Sequence, residues 1–241
     1  HGDHVTGLMG LLMSLEMGNR LNPLSIFGPP GIGEYIKTCE RLFQTYFSFP
    51  LNILEVNKIT SGIIYEEEEY RIKSQPLQHR VFTLGYSLEE HDRIGKFLPL
   101  EATKLGVPPG PLFGLLQRGK SLTMPDGRTI SPQMVTGPAR KGKKLSYCVD
   151  TMPCPAAREL AVNADLLIYD GTFDPSTSDK ALARGHSTSL EAAVLAKESN
   201  VKRLVLTHLS PRYSSLEAYL GDANKIFQEI IVAEDLMSLD I

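Results

Sequence analysis

The feature that most constrains this chain is the alternation of its second half. Short apolar runs take turns with helical stretches: KLSYCVD (144–150), ARELAVNA (157–164), DLLIYDG (165–171), STSLEAAVLAKES (187–199) and RLVLTHL (203–209). Strands alternating with helices predict an α/β layered domain. The helix at 187–199 opens on a Thr188-x-x-Glu191 capping box. The last thirty residues read as a helix and a closing strand. Toward the start, residues 5–19 have helical spacing and stop at Gly18-Asn19. A strand at 24–32 ending in a Gly/Pro loop, a helix at 33–48 and strands at 51–59, 70–77 and 81–88 follow.

Composition sets the outer bounds. With 241 residues, 42% of them hydrophobic and 22% charged, the chain suits one large domain or two small ones, with material for a sizeable core. Its formal net charge of −3 means that a nucleic-acid partner needs a local basic patch. No apolar stretch approaches the ~20 residues of a membrane span. Three cysteines, Cys39, Cys148 and Cys154, cannot close a disulfide framework and point to a reducing compartment. The opening at His1, without an initiator methionine or a signal segment, reads as a cut inside a motif of a longer chain.

One stretch breaks the pattern. Residues 106–142 concentrate Gly, Pro, Lys and Arg with little amphipathic periodicity, and they are too long for a routine connection. Arg118, Lys120, Arg128, Arg140, Lys141, Lys143 and Lys144 make this region locally basic. That fits either a reader of nucleic-acid backbone or a solvated loop. The acidic run Glu66–Glu69 reads as a solvated edge or turn.

The chemistry-bearing residues gather at element ends. His1-Gly-Asp3-His4 places three ligand-type side chains within four residues, and its glycine allows a tight turn in which they converge. Imidazole nitrogen and carboxylate oxygen suit a zinc-like ion. Asp150 ends the strand at 144–150, where it is a turn-former, an N-cap or a ligand. His208 follows RLVLT, as a structural histidine or a ligand, and His79 and His186 sit beside a strand and a helix start. Together these positions predict a metal site along one edge of the layered fold.

On these residues, HGDHVTGLMGLL resembles the H-x-H-x-D-H turn of the metallo-β-lactamase superfamily, entered at its second histidine. Within that superfamily the chain resembles the ribonuclease Z family of tRNA 3′-processing endonucleases. The resemblance is carried by IFGPPGI, His79 before FTLGY, PPGPLFGLLQRGK, VDT, GHSTSLEAA and LTHLSPRY. It implies an αββα sandwich, here incomplete in its N-terminal half, forming a single domain over 1–241 with a tRNA-binding arm inserted at about 106–142. It also implies two Zn²⁺ ions: His1 and His79 on one, Asp3, His4 and His208 on the other, and Asp150 bridging. Asp3 further orients the attacking water as base, and His186 assists the leaving group. Gly110, Pro111, Arg118 and Lys120 of the arm would bind RNA. Arg212 is either a phosphate-binding fork or a surface ion pair. The implied partners are precursor tRNA and a second copy in a homodimer, with no membrane, in the cytoplasm or in an organelle of a eukaryote. His91 matches no ligand and reads as a surface histidine.

Two departures stand out. The first histidine of the signature and the strands before it are absent. At 169–173 the chain reads YDGTF in place of HEATF, so Asp170 keeps the carboxylate expected beside His186, one methylene shorter, and Tyr169 replaces a histidine. The resulting expectation is a zinc-dependent endoribonuclease that removes the 3′ trailer of precursor tRNA, with Asp3, His186 and Asp170 as its catalytic groups. The alternatives are a small-molecule hydrolase of the same superfamily and a non-catalytic remnant.

Overall fold

A 3₁₀ turn at Gly2–His4 leads into α1 (Gly7–Met17), followed by β1 (Leu24–Gly28), α2 (Ile32–Phe43) and β2 (Leu51–Glu55). The strands β1 and β2 pair in parallel from Leu24↔Leu51 to Gly28↔Glu55. Both helices pack on them through Met9, Leu12, Ile32 and Ile36, with Phe49 completing this core. The helix expected over 33–48 stops at Gln44, which turns left-handed (φ 51°). Beyond that turn the chain bends back and buries Phe49 in this core.

Next come β3 (Gly62–Glu66), β4 (Tyr70–Pro76) and β5 (Leu84–Glu90). β3 carries no separate signal in the sequence, because its apolar residues merge into the acidic run. Glu67–Glu69 form the exposed turn between β3 and β4. Then follow α3 (Pro99–Lys104), α4 (Pro111–Gln117), β6 (Leu122–Thr123), β7 (Thr129–Ile130) and β8 (Lys144–Cys148). The chain closes with α5 (Pro155–Ala161), β9 (Leu166–Asp170), α6 (Ser178–Arg184), α7 (Ser189–Glu198), β10 (Arg203–Thr207), α8 (Leu216–Leu220), α9 (Ala223–Ile226) and β11 (Ile230–Val232). This computed structural model describes residues 1–211, 213 and 215–241, so Arg212 lies outside the described residues.

The chain divides into two compact units, His1–Glu89 with Lys144–Ile241, and Glu90–Lys143. In the larger, a seven-stranded sheet runs β11-β10-β9-β8-β5-β4-β3. Its β8 to β11 are parallel, and β5 joins β8 antiparallel. The unit's main core lies between this sheet and α5 and α7, where Leu160, Leu167, Leu195, Leu204, Leu206 and several alanines are buried. On the other face the two sheets meet, with the Tyr86 hydroxyl donating to the Phe27 carbonyl at 3.1 Å. Helix, sheet, sheet, helix is the layer order, with α1 and α2 outside the small sheet.

The smaller unit differs from the open loop suggested by its composition. Pro111 starts α4 behind Gly110, which adopts a φ of 142°, and β6 and β7 form a minimal hairpin. Ala102, Val107, Leu116, Leu122, Ile130 and Val135 bury a core of its own. These elements are too short to produce a periodic pattern, so burial reveals them where spacing could not. Among the described residues no helix is long and apolar enough to cross a membrane.

Candidate metal centre

Three neighbouring parallel strands deliver their C-terminal ends to one edge of the large sheet, the place where loops of α/β sheets collect functional groups. Asp170 is the last residue of β9, His208 follows β10, and Asp150 lies two residues past β8. Asp150 and His208 both adopt left-handed backbone, with φ of 52° and 63°. Non-glycine residues hold that conformation at a cost of ~1–3 kcal/mol, which clusters at functional sites. The 3₁₀ turn brings His1, Asp3 and His4 to the same edge, the β4–β5 connection brings His79, and the α6–α7 connection brings His186.

Asp150 sits at the middle. Its Oδ2 lies 3.1 Å from His4 Nε2, 3.4 Å from His1 Nδ1 and 4.0 Å from His79 Nε2. Its Oδ1 lies 3.2 Å from His208 Nε2 and 4.0 Å from His186 Nδ1. Asp3, mostly exposed, approaches His4 Nε2 at 3.5 Å. Among the described residues the donors fall into three sets: His1, His79 and Asp150; Asp3, His4 and His208; and Asp150, Asp170, His186 and His208. The sequence-derived ligand candidates and His186 are thus brought together.

The donor chemistry suits a cation. His79 Nε2 and Asp150 Oδ1 are buried and have no hydrogen-bond partner among the described residues. Such orphans are costly, and here they belong to donors crowded within a few ångströms of one another. The His79 ring donates Nδ1–H to the Gly185 carbonyl at 2.7 Å, which leaves its Nε2 lone pair facing Asp150. Gly185 is required for this approach, since a Cβ there would lie 2.9 Å from His79 Nδ1. Oxygen and imidazole ligands oriented by outer hydrogen bonds are typical of zinc-class ions.

Behind this edge, the shorter side chain of Asp170 still reaches His186 Nδ1, at 2.7 Å. Asp170 is fully buried and accepts from the backbone N–H groups of Thr151 and Thr172, at 3.0 and 2.9 Å. The Thr172 hydroxyl adds a further bond at 2.8 Å. Thr172 carries no signal of its own in the sequence, because a threonine close after an aspartate is an ordinary turn pattern, and Thr151 stands out only as part of VDT. His186 and His208 also line an open pocket of about 680 Å³ with Phe173, Arg184 and Ser210. A second pocket of about 330 Å³ opens beside His1, His4 and Asp150. Gly110, Pro111, Arg118 and Lys120 are exposed on the smaller unit, and none of the three donor sets draws on that unit. His91 belongs to the same unit and is half-buried.

No family model matches the chain. Individual proteins match it throughout. Ribonuclease Z of Cyanothece sp. is 42% identical over 246 aligned residues, taking in all of this chain and 76% of the relative. Ribonuclease BN of Enterobacter sp. is 41% identical over 241, with coverages of 99% and 78%. The crystal structure of the short form of human tRNase Z superposes with a TM-score of 0.64 at 25% identity, covering all of this chain and 76% of that one. A metallo-β-lactamase fold protein of Bacillus subtilis, at 16% identity and a TM-score of 0.59 over 97% of this chain and 71% of that one, shares the fold. Sequence identity across its whole length, on a metallo-β-lactamase framework with a His/Asp cluster at the sheet edge, places this chain in the ribonuclease Z family.

Proposed function

We propose that the chain is a zinc-dependent endoribonuclease that cleaves the 3′ trailer from precursor tRNA. The observation that carries this reading is the donor set centred on Asp150, with His186 held beside it by Asp170. His1 and His79 would hold one ion, Asp3, His4 and His208 a second, and Asp150 both. Two ions at such a site supply Lewis acidity toward the attacking water and the phosphoryl oxygens.

The chain's own groups do the rest. Asp3, the most exposed carboxylate of the cluster, orients the water and takes its proton. His186 donates Nδ1–H to Asp170, so its Nε2 is the atom free to pass a proton to the departing oxygen. Asp170 steadies the charged ring, a general-acid arrangement worth typically ~10²–10⁴-fold in rate. Gly110, Pro111, Arg118 and Lys120, with Arg212, are read as contacts to the RNA backbone. The basic residues of 106–142 in a chain of net charge −3 support that part. A homodimer is part of the same reading, and the free cysteines Cys39, Cys148 and Cys154 support a reducing compartment.

The test compares a 3′-extended precursor tRNA with bis(p-nitrophenyl) phosphate and a panel of simple esters, alongside zinc analysis and light scattering. Zinc-dependent release of the trailer is expected. Hydrolysis of esters with intact precursor would favour a small-molecule hydrolase. Absence of both metal and turnover would mark a non-catalytic chain.

A further inference from the structure

The Thr172 hydroxyl occupies a position that decides the protonation of a neighbouring histidine. Its Oγ1 lies 2.8 Å from Asp170 Oδ1, 2.7 Å from His208 Nδ1 and 3.2 Å from His186 Nδ1. A hydroxyl has one proton to give and two lone pairs to receive with. The carboxylate oxygen can only accept, so the hydroxyl proton goes to Asp170. The reverse choice would set two oxygen lone pairs against each other at 2.8 Å. With that proton spent, Thr172 can only accept from His208, so Nδ1–H of His208 is the donor and the lone pair is left on Nε2, 3.2 Å from Asp150 Oδ1. The other oxygen of the Asp170 carboxylate, Oδ2, takes Nδ1–H of His186 at 2.7 Å.

We propose that Thr172 is a positioning residue, whose hydroxyl fixes His208 in the tautomer competent to bind a metal and ties it to the carboxylate that holds His186. The inference rests on reading His208 as a metal ligand. It adds a residue to that reading and a reason for its type. A bare methyl at the same place would leave His208 free to rotate and to exchange tautomers. Serine would preserve the bond, whereas valine has the same shape and removes it. The local frame is rigid enough for the hydroxyl to matter. Thr172 is buried, and its own N–H is bound to Asp170 Oδ1 at 2.9 Å.

The experiment has two arms. In the unmutated chain without metal, ¹⁵N–¹H long-range NMR of the imidazoles reads the tautomer of His208, and the Nδ1–H form is expected. Zn²⁺ alone is then titrated in competition with a chromogenic chelator. Thr172→Val should weaken binding by ~10–100-fold, the usual loss on removing an outer partner of a ligand. Thr172→Ser should bind close to the unmutated value. An Nε2–H tautomer, or valine binding as tightly as threonine, overturns the proposal. Should the valine variant unfold, the tautomer and the serine variant still decide. An unmutated chain that shows the Nδ1–H form and binds no Zn²⁺ overturns the metal reading itself, and is thereby told apart from a failure of Thr172 alone.

Discussion

A single glycine shows how closely the centre is fitted to its surroundings. Gly171 separates Asp170 from Thr172, and a Cβ added there would lie 2.3 Å from the Tyr219 hydroxyl and 3.1 Å from Leu206 Cβ. Tyr219 is fully buried and donates its hydroxyl to the Gly171 carbonyl at 2.5 Å. The two residues therefore share one space. Gly171→Ala should destabilise the fold by about 1–3 kcal/mol through overpacking, read from urea unfolding. Tyr219→Phe removes the atom in the way, so the double variant should lose less than the two single losses added together. Strict additivity would show that Leu206, and not the tyrosine, sets the limit. Asp170 keeps its place with a shorter side chain for a different reason. Backbone N–H groups of Thr151 and Thr172 hold its carboxylate beside His186.

Elements transmit that placement. The helix α7 starts on the anticipated capping box, Thr188 accepting from Glu191 N–H at 3.2 Å and Glu191 from Thr188 N–H at 2.8 Å. Thr188→Ala should cost about 1 kcal/mol, and because Ser187 and His186 immediately precede it, kcat on precursor tRNA should fall as well, with Zn²⁺ affinity little changed. Thermal melts, turnover of precursor tRNA and chelator competition check the three. The cap was legible because it is local, as were the strands that end at Asp150 and His208. Thr172 was not, since its role depends on β9, β10 and the α6–α7 connection meeting across long separations. Burial within the sheet also makes an acid-sensitive element. Glu89 on β5 is half desolvated, which alone would raise its pKa, yet Arg71, Lys73 and Lys144 at 2.8, 3.1 and 3.2 Å pull it down to about 2. A carboxylate with a lowered folded pKa stabilises the protein above its unfolded value, near 4.5, and that contribution is lost as pH falls from there toward about 2. Melting temperatures of the unmutated chain should therefore drop more steeply across that window than those of Glu89→Gln. Parallel curves would mean that the three cations do not hold Glu89 in solution.

At the scale of the whole molecule, chemistry and the basic segment belong to different units. The donor sets lie wholly in His1–Glu89 with Lys144–Ile241, while Gly110, Pro111, Arg118 and Lys120 sit on Glu90–Lys143, which buries its own small core. Composition revealed that this region was distinct, but not that it was folded, because its helices and strands are too short to show a period. The structure also shows how to remove it cleanly. Cutting only part of the segment, between 108 and 128, would tear out Leu116 and Leu122 and leave an exposed apolar remainder. Glu89 and Lys144, by contrast, are direct antiparallel partners on β5 and β8. Replacing residues 90–143 by Asn-Gly closes those strands as a hairpin, since that pair supplies the left-handed backbone of a two-residue turn. The shortened chain should bind Zn²⁺ as before and hydrolyse bis(p-nitrophenyl) phosphate at a rate close to the original. Its kcat/KM on precursor tRNA should fall by at least about tenfold, because binding energy remote from the scissile bond serves only a substrate large enough to reach it. The salt dependence of RNA affinity should flatten as its phosphate contacts are lost. Equal losses on the two substrates would instead make the unit a support for the catalytic fold, and the basic residues of 106–142 would then be ordinary solvated charges.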